Sequence, residues 1–369
     1  MKSRVKSQNL GPKVLFLYLG ASRRKLLGKV ENKTEPDSQF RGYLQMQGRK
    51  DMSVEFLDMY EEINLPAWLI RILPFQIIPL FHLPKVLSFD YLVASDALFL
   101  ATAVDIANKF RFKKTKWIFV GINIDVMLRR HAHNPFRKWL LTRIWKKVWH
   151  IAYLERNQKQ TLLSVGVPEE RMTYMPLGID TDFFAKNKSL SDGEFVLSVG
   201  RDLGRDFVTL FSAAALVPYK FVVATSPKNL PEGIEIPPNV EILFDVDITT
   251  INSLYERARM VCLVLKGEET TEGSDCTGQT VILEALAAGQ AVIASDRRWL
   301  RSYFEAGKDY IPVPIGSVEA LADSVTVLWN SETKRRSLGQ AGVAKVRSLY
   351  RTEGMAVVLV NLIKKDHIY

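Results

Sequence analysis

The chain has 369 residues, 47% apolar and 24% charged, the balance of an ordinary globular protein long enough for two α/β domains with separate cores. Two cysteines, Cys262 and Cys276, exclude a disulfide framework and a thiolate zinc site and fit a reducing cytoplasm. The net charge of +10 is uneven: residues 1–180 hold 29 Lys/Arg against 16 Asp/Glu, and residues 181–369 hold 21 against 24, so the basic half suits a polyanionic acceptor, nucleic acid or an anionic membrane face.

The N-terminal MKSRVKSQNLGPK is basic and polar, and the apolar run Val14 to Leu19 is too short for a secretory signal, so export is not expected. KVLFLYLG (13–20) reads as a buried parallel strand and MSVEFLDMYEE (52–62) as a second. Residues 65–87 are strongly apolar, but Pro66, Pro74, Pro79 and Pro84 interrupt helical hydrogen bonding and argue against a membrane span. FDYLVASD (89–96) is a third strand, AVDIANKFRF (103–112) a helix, and KWIFVGINI (116–124) a further strand, which is βαβ alternation. FRKWLLTRIWKKVWHI (136–151) mixes aromatic residues with cations, and residues 161–184 carry the Gly and Pro punctuation of a linker, placing a domain boundary near 180–192. The pattern restarts with strands at 195–200, 220–225, 239–246, 260–265 and 291–295, and helices at 207–216, 250–258 and 280–289. That is a doubly wound parallel sheet, followed by two amphipathic helices over 317–349 and a last helix over 355–365.

In such a sheet, ligands bind beyond the carboxyl ends of the strands, where helix N-termini offer free amides. Two places in the second half fit. Gly200 ends a strand and is followed closely by Arg201 and Arg205, whose guanidinium forks match phosphate oxygens; a solvated basic loop would read the same. The loop from Cys276 through Gly278 runs into a helix whose first turn presents the amides of Gln279, Thr280 and Val281. Glu284 stands among Val281, Ile282, Leu283, Ala285 and Leu286, so this carboxylate either has a designated partner such as ribose hydroxyls or lies on the one wet side of the helix.

At this point the sequence resembles the GT-B glycosyltransferases, and among them the retaining group known as family 4, over about residues 148–350. The resemblance is carried by GVPEERMTYMPLGIDTDFF (166–184), LSVGRDLGRDFVTLFSAA (197–214), NVEILFDVDITTINSLYERA (239–258) and TVILEALAAGQAVIAS (280–295), in family order. It implies two Rossmann-like doubly wound parallel-sheet domains facing across a cleft: an acceptor-binding domain over 1–185, a donor-binding domain over 186–350, and a C-terminal helix over 351–369 with room to pack back on the first. It also implies transfer, with retention, of a sugar from a nucleoside diphosphate, UDP- or GDP-linked, to a hydroxyl acceptor that is lipid-linked or a polysaccharide. No metal and no tightly bound cofactor are expected.

The resemblance places Arg201 and Arg205 on the donor diphosphate, Gly278 to Val281 on the distal phosphate and Glu284 on the ribose. Arg205 stands where most members carry lysine. The first acid of the family's pattern, eight positions before Glu284, falls on Cys276. Either Asp275 substitutes for it through a shifted loop, or the sugar is held differently, or catalysis is impaired. The first half matches only in its βαβ grammar: Gly20-Ala21-Ser22 replaces the usual Gly-Gly pair, and Asn123 and Asp125 stand where a histidine is frequent, with His131 and His133 a few residues on. The pairs Asp180/Asp182 and Asp245/Asp247 have metal-like spacing but belong to the linker and to a strand end.

Two accounts fit residues 129–150. Phe136, Trp139, Leu140, Trp145, Val148 and Trp149, interleaved with Arg137, Lys138, Arg143, Lys146 and Lys147 after Arg129 and Arg130, suit an anionic lipid interface on the inner membrane face; equally, this is a core helix with snorkelling cations. Residues 65–87, with Trp68, Phe75 and Phe81, offer a second contact. The rivals to glycosyl transfer are a catalytically weakened GT-B relative that binds a nucleotide or a partner, and a nucleotide-sugar epimerase. Nucleic-acid binding lacks any RRM, KH or zinc-finger pattern.

Overall fold

The computed structural model describes residues 11–19, 22–59, 61–63, 77–95, 98–185 and 193–367. Two six-stranded parallel sheets organise them. The first comprises β1 (Lys13–Tyr18), β2 (Ser53–Asp58), β3 (Tyr91–Ala94), β4 (Lys116–Gly121), β5 (His150–Tyr153) and β6 (Met172–Tyr174), in the order β2-β1-β3-β4-β5-β6. The second comprises β7 (Phe195–Val199), β8 (Phe221–Thr225), β9 (Val240–Phe244), β10 (Ala258–Leu263), β11 (Val292–Ser295) and β12 (Ile311–Val313), in the order β12-β11-β10-β7-β8-β9.

Helices cover both faces of each sheet, which is why the central strands are unbroken apolar runs rather than alternating ones: β7 and β8 are buried at every position. Side-chain caps start the donor-half helices. Asp206 accepts from the amide of Thr209 at 3.0 Å, and Asp247 from that of Thr250 at 2.7 Å; such a cap is worth about 1 kcal/mol.

The sequence reading and the structure part company between 136 and 184. Residues 136–151 are not one helix. Asn134 caps a helix over Pro135–Trp145 by accepting from the amide of Arg137, and β5 begins at His150. The linker-like stretch 161–184 holds the end of a helix, Arg156–Ser164, then β6 and a short helix, Thr181–Phe184. A three-residue strand beside Gly166 and Pro168 leaves no period to read.

The chain crosses between the sheets twice, side by side. The amide of Ile179 donates to the carbonyl of Tyr350 at 2.9 Å, and that of Thr352 to the carbonyl of Ile179 at 3.2 Å. Gly178 permits this contact, since a Cβ there would lie 2.1 Å from the carbonyl oxygen of Arg351. The second crossing sends the final helix, Thr352–His367, back to the first sheet, where Met355, Leu359 and Ile363 share a core with Val14, Phe16 and Phe40.

Candidate functional site

In the second sheet the strand order reverses between β7 and β10, so the loops after these two strands diverge and leave a crevice at their carboxyl ends. The loop after β7 is Gly200–Arg205, and the loop after β10 ends at Gly278. Backbone bonds join them: the amide of Asp206 donates to the carbonyl of Val264, and that of Lys266 to the carbonyl of Gly204. Asp202 adds a polar staple, accepting from the amide of Gly204 at 2.7 Å and the hydroxyl of Thr277 at 3.1 Å.

This frame holds Arg205 in an unusual state. Its side chain is buried, and its Nε and Nη1 have no hydrogen-bond partner. Two glycines make room for the guanidinium. A Cβ on Gly200 would lie 2.1 Å from Nε, and one on Gly278 2.8 Å from Nη1. Gly278 also has a φ of +84°, a left-handed conformation that L side chains rarely adopt. Burial pushes the Arg205 pKa down to about 10, against the pull of Asp202, Tyr255 and Glu284, so the group is still a cation at neutral pH. A buried cation with unused donors is costly unless an anion reaches it.

Gly278 begins the helix Gln279–Ala287 without any side-chain cap, and the buried Gln279 keeps an unpartnered Nε2. The Gln279 amide is taken by the Cys276 carbonyl at 2.9 Å, so it is the first-turn amides of Thr280 and Val281, both in the crevice lining, and the positive dipole end that stand beside the Arg205 fork. One turn on, Glu284 is buried and faces the crevice. Burial pushes its pKa up to about 8, while the Tyr255 hydroxyl, donating at 3.2 Å, and Arg205 pull the other way. Near neutrality the carboxyl is largely protonated and can both donate to and accept from a hydroxyl. The apolar sequence around Glu284 signals this environment; nothing in the sequence signals Tyr255.

The crevice measures about 450 Å³ and is lined by Gly200, Arg201, Thr225, Val246, Thr280, Val281 and Glu284. Arg201 behaves unlike Arg205. It is half-exposed, donates to the carbonyl of Val246 and lies 3.9 Å from the Asp245 carboxylate. The opposite wall comes from the first domain, through Glu35, Pro36, Ser38 and Gln39, which had no distinguishing sequence pattern. That wall is fixed to the crossing segment, since the amide of Asp180 donates to the Ser38 hydroxyl at 3.0 Å.

Cys276 and Asp275 lie on the loop before the helix, but neither lines this crevice. Asp275 is buried and points into the first domain. Its carboxylate accepts from the amides of Asp125 at 2.8 Å and Val126 at 2.6 Å, and from Gln158 Nε2 at 2.8 Å. It thereby caps the helix Ile124–Arg130 from across the interface. Arg130 reinforces the junction by donating to the carbonyls of Thr271 and Gly273. Burial, and then the charge of neighbouring Asp125, push the Asp275 pKa up, against those three bonds. Burial, followed by the charges of Asp275 and Glu155, drives the buried Cys276 thiol well above its ordinary range, so it stays protonated.

The other sequence candidates have local partners. Asp180 and Asp247 cap helices, Asp182 pairs with Arg351 at 3.2 Å, and Asp245 accepts from Ser226. His131 and His133 lie outside the crevice lining. Gly20 and Ala21, like 65–76 of the apolar stretch, fall outside the described residues, while Ser22 caps the helix Arg23–Glu31. Of the aromatic and basic residues in 129–150, Trp145 and Val148 are core, and Arg129 and Arg130 hold the donor-domain loop rather than facing outward, because the segment divides into a helix and a strand that both pack. No helix among the described residues is long and apolar enough to cross a membrane.

No curated protein matches the sequence. Solved structures match the fold. HepE from Anabaena, in complex with UDP and glucose, superimposes with a TM-score of 0.68 at 13% identity, covering 96% of this chain and 100% of its own. Sucrose-phosphate synthase from Thermosynechococcus elongatus gives 0.66 at 15% identity, covering 96% and 98%. A mutant of TarM from S. aureus, in complex with fondaparinux, alpha-GlcNAc-glycerol and UDP, gives 0.57 at 15%, covering 78% and 59%. The two facing parallel-sheet domains are thus a GT-B fold, and residues 203–331, which contain Arg205, the Gly278 turn and Glu284, match the family of glycosyl transferases group 1.

Proposed function

We propose that this protein is a retaining, metal-independent glycosyltransferase of the hexosyltransferase type, moving a sugar from a UDP- or GDP-linked donor to a hydroxyl acceptor in cell-surface glycan or glycolipid assembly. The observation that carries the reading is the buried Arg205 guanidinium with two unused donors, framed by Gly200 and Gly278 beside an uncapped helix N-terminus. A nucleoside diphosphate supplies what that frame lacks. Its phosphate oxygens take the free N–H groups, and its ribose hydroxyls meet Glu284.

In the reaction, the bond from the anomeric carbon to the diphosphate oxygen breaks, and the acceptor oxygen bonds to that carbon from the same face. The acceptor proton passes to the departing diphosphate. Negative charge grows on the leaving oxygen, and Arg205, Gln279 and the helix amides stabilise it in place, as oxyanion-hole donors do and as a metal ion otherwise would. Solved UDP complexes of the HepE fold support UDP as the first base to test. The free thiols of Cys262 and Cys276 accord with a cytoplasmic setting.

A specific observation favours a second reading, a weakened relative that binds donor without transferring sugar. The acid expected on the sugar side is Cys276, and the carboxylate beside it is spent on the domain junction. Thermal unfolding against UDP, GDP, ADP and CMP tests the donor site, because a ligand bound only to the folded state raises the midpoint with its concentration. A saturable shift with one diphosphate, reduced in Arg201→Ala, is expected; no shift with any of them defeats the donor reading. Sugar turnover by the parent separates the two readings, and turnover that appears only in Cys276→Glu favours the second.

A further inference from the structure

The first domain presents an apolar face that the donor site does not use. Among the described residues, the exposed phenylalanines and tryptophans other than Phe244 all fall within residues 81–139: Phe81, Phe99, Phe110, Phe112, Phe136 and Trp139. They come from neighbouring elements. The turn Ile78–His82 packs on the helix Leu98–Asn108, which packs on the helix Pro135–Trp145. Each helix turns its other side to the core, through Leu100, Ala101 and Val104 in one and Leu141, Ile144 and Trp145 in the other. The outward aromatics are therefore not fraying core residues. Phe110 is 86% exposed and Phe112 fully so, a poor arrangement for large apolar groups in water.

Charge completes the pattern. Exposed Lys109 and Lys114 flank Phe110 and Phe112 in the chain, and exposed Arg137 and Lys138 lie between Phe136 and Trp139. The acids nearby are neutralised: Asp90 pairs with Lys113 at 2.5 Å and Asp105 with Lys147 at 3.8 Å. Arg143 lies over the Trp139 ring at 5.3 Å, and Phe136 stacks on Trp139 at 6.0 Å, so the outward rings are held in position. Both helices run antiparallel to the strands they flank, so Phe99 and Phe136 mark the cleft end of the face and Ile106, Phe110 and Phe112 its far end. Each 11-residue helix is about 16 Å long, so the strip spans the height of the domain.

We propose that this face docks on an anionic phospholipid bilayer, with the aromatic rings at headgroup depth and the cations on lipid phosphates. Aromatic side chains ringed by Lys and Arg match the chemistry of that interface in both depth and charge. A second copy of the chain would have to set acids opposite these cations, and the acids near the strip, Asp90 and Asp105, are already paired with lysines. The inference does not depend on the donor reading, since it uses none of the crevice residues.

Co-sedimentation with phosphatidylcholine vesicles, with and without phosphatidylglycerol, tests it directly. The wild-type protein is expected to bind the phosphatidylglycerol vesicles at least about tenfold better, with binding weakened by salt. The double variants Phe110→Ser/Phe112→Ser and Phe136→Ser/Trp139→Ser are expected to lose about tenfold or more of that binding while keeping the wild-type unfolding midpoint and UDP response. Absence of binding by the wild type overturns the proposal. So does binding that salt abolishes but the aromatic variants leave unchanged, which is unspecific attraction of a basic protein. Concentration-dependent dimerisation that the same variants abolish assigns the face to a second copy instead.

Discussion

Arg205 and Asp275 are both buried and charged, and they sit on the two loops that open at the same strand ends, yet the fold treats them in opposite ways. Asp275 has three donors within 2.8 Å, all from the other domain and two of them backbone amides. Arg205 has two buried N–H groups and nothing to receive them. A satisfied charge at a domain junction is architecture, and it fixes the relation of the two halves. An unsatisfied one, kept in place by glycines whose side chains would displace it, is a socket with a shape and a sign. The contrast separates donor chemistry from domain assembly within one loop cluster.

The heaviest blow to one side of this contrast is Gly278→Val. The left-handed backbone and the contacts of the new side chain with Leu263 and Arg205 predict loss of any nucleotide-induced rise in the unfolding midpoint and a destabilisation of about 2–4 kcal/mol in denaturant titration. A variant that still responds to UDP removes the glycine frame from the account. On the other side, Asp275→Ala strands the amides of Asp125 and Val126 together with Gln158. About 2–3 kcal/mol of stability should go with them, while UDP affinity stays within a few-fold of wild type. If affinity falls and stability holds, Asp275 belongs to the site rather than the junction.

A smaller effect follows from Glu284. Its pKa is raised from 4.5 in the unfolded chain to about 8 in the folded protein, so the folded state binds the extra proton. This group's contribution to stability is present in full below its unfolded pKa and is lost as pH rises through about 8. Between these limits wild type should lose stability relative to Glu284→Gln as pH rises. Parallel midpoint profiles for the two proteins would contradict the assignment.

The sequence made the donor half readable because its signals are local. A glycine at a strand end, two arginines, a Gly-bearing loop and an acid in an apolar helix all lie within short windows, and the structure brings Gly200, Arg201 and Glu284 to one crevice, with Arg205 packed against Gly200 and Gly278 just behind its wall. What stayed hidden depends on distant parts of the chain. Tyr255 beside Glu284, the wall from Glu35 to Gln39 and the attachment of Asp275 to Asp125, Val126 and Gln158 are contacts between segments whose own sequences carry no pattern. Strands β5 and β6 were missed for another reason. They are four and three residues long, and the aromatic-rich run before one and the turn residues before the other obscure any period. Arg201, which the resemblance also places on the diphosphate, lines the crevice and donates there to the Val246 carbonyl.

The most direct test of the central claim is calorimetric titration of UDP and UMP into wild type and Arg205→Met, which keeps the side-chain length and removes the charge. If the orphaned guanidinium is the seat of the diphosphate, wild type prefers UDP by about tenfold or more, roughly one charge-assisted hydrogen bond. In Arg205→Met that preference collapses toward unity, while the ligand-free protein, relieved of an unpaired buried cation, unfolds no earlier than wild type. An undiminished preference for UDP in a folded Arg205→Met protein would contradict the account.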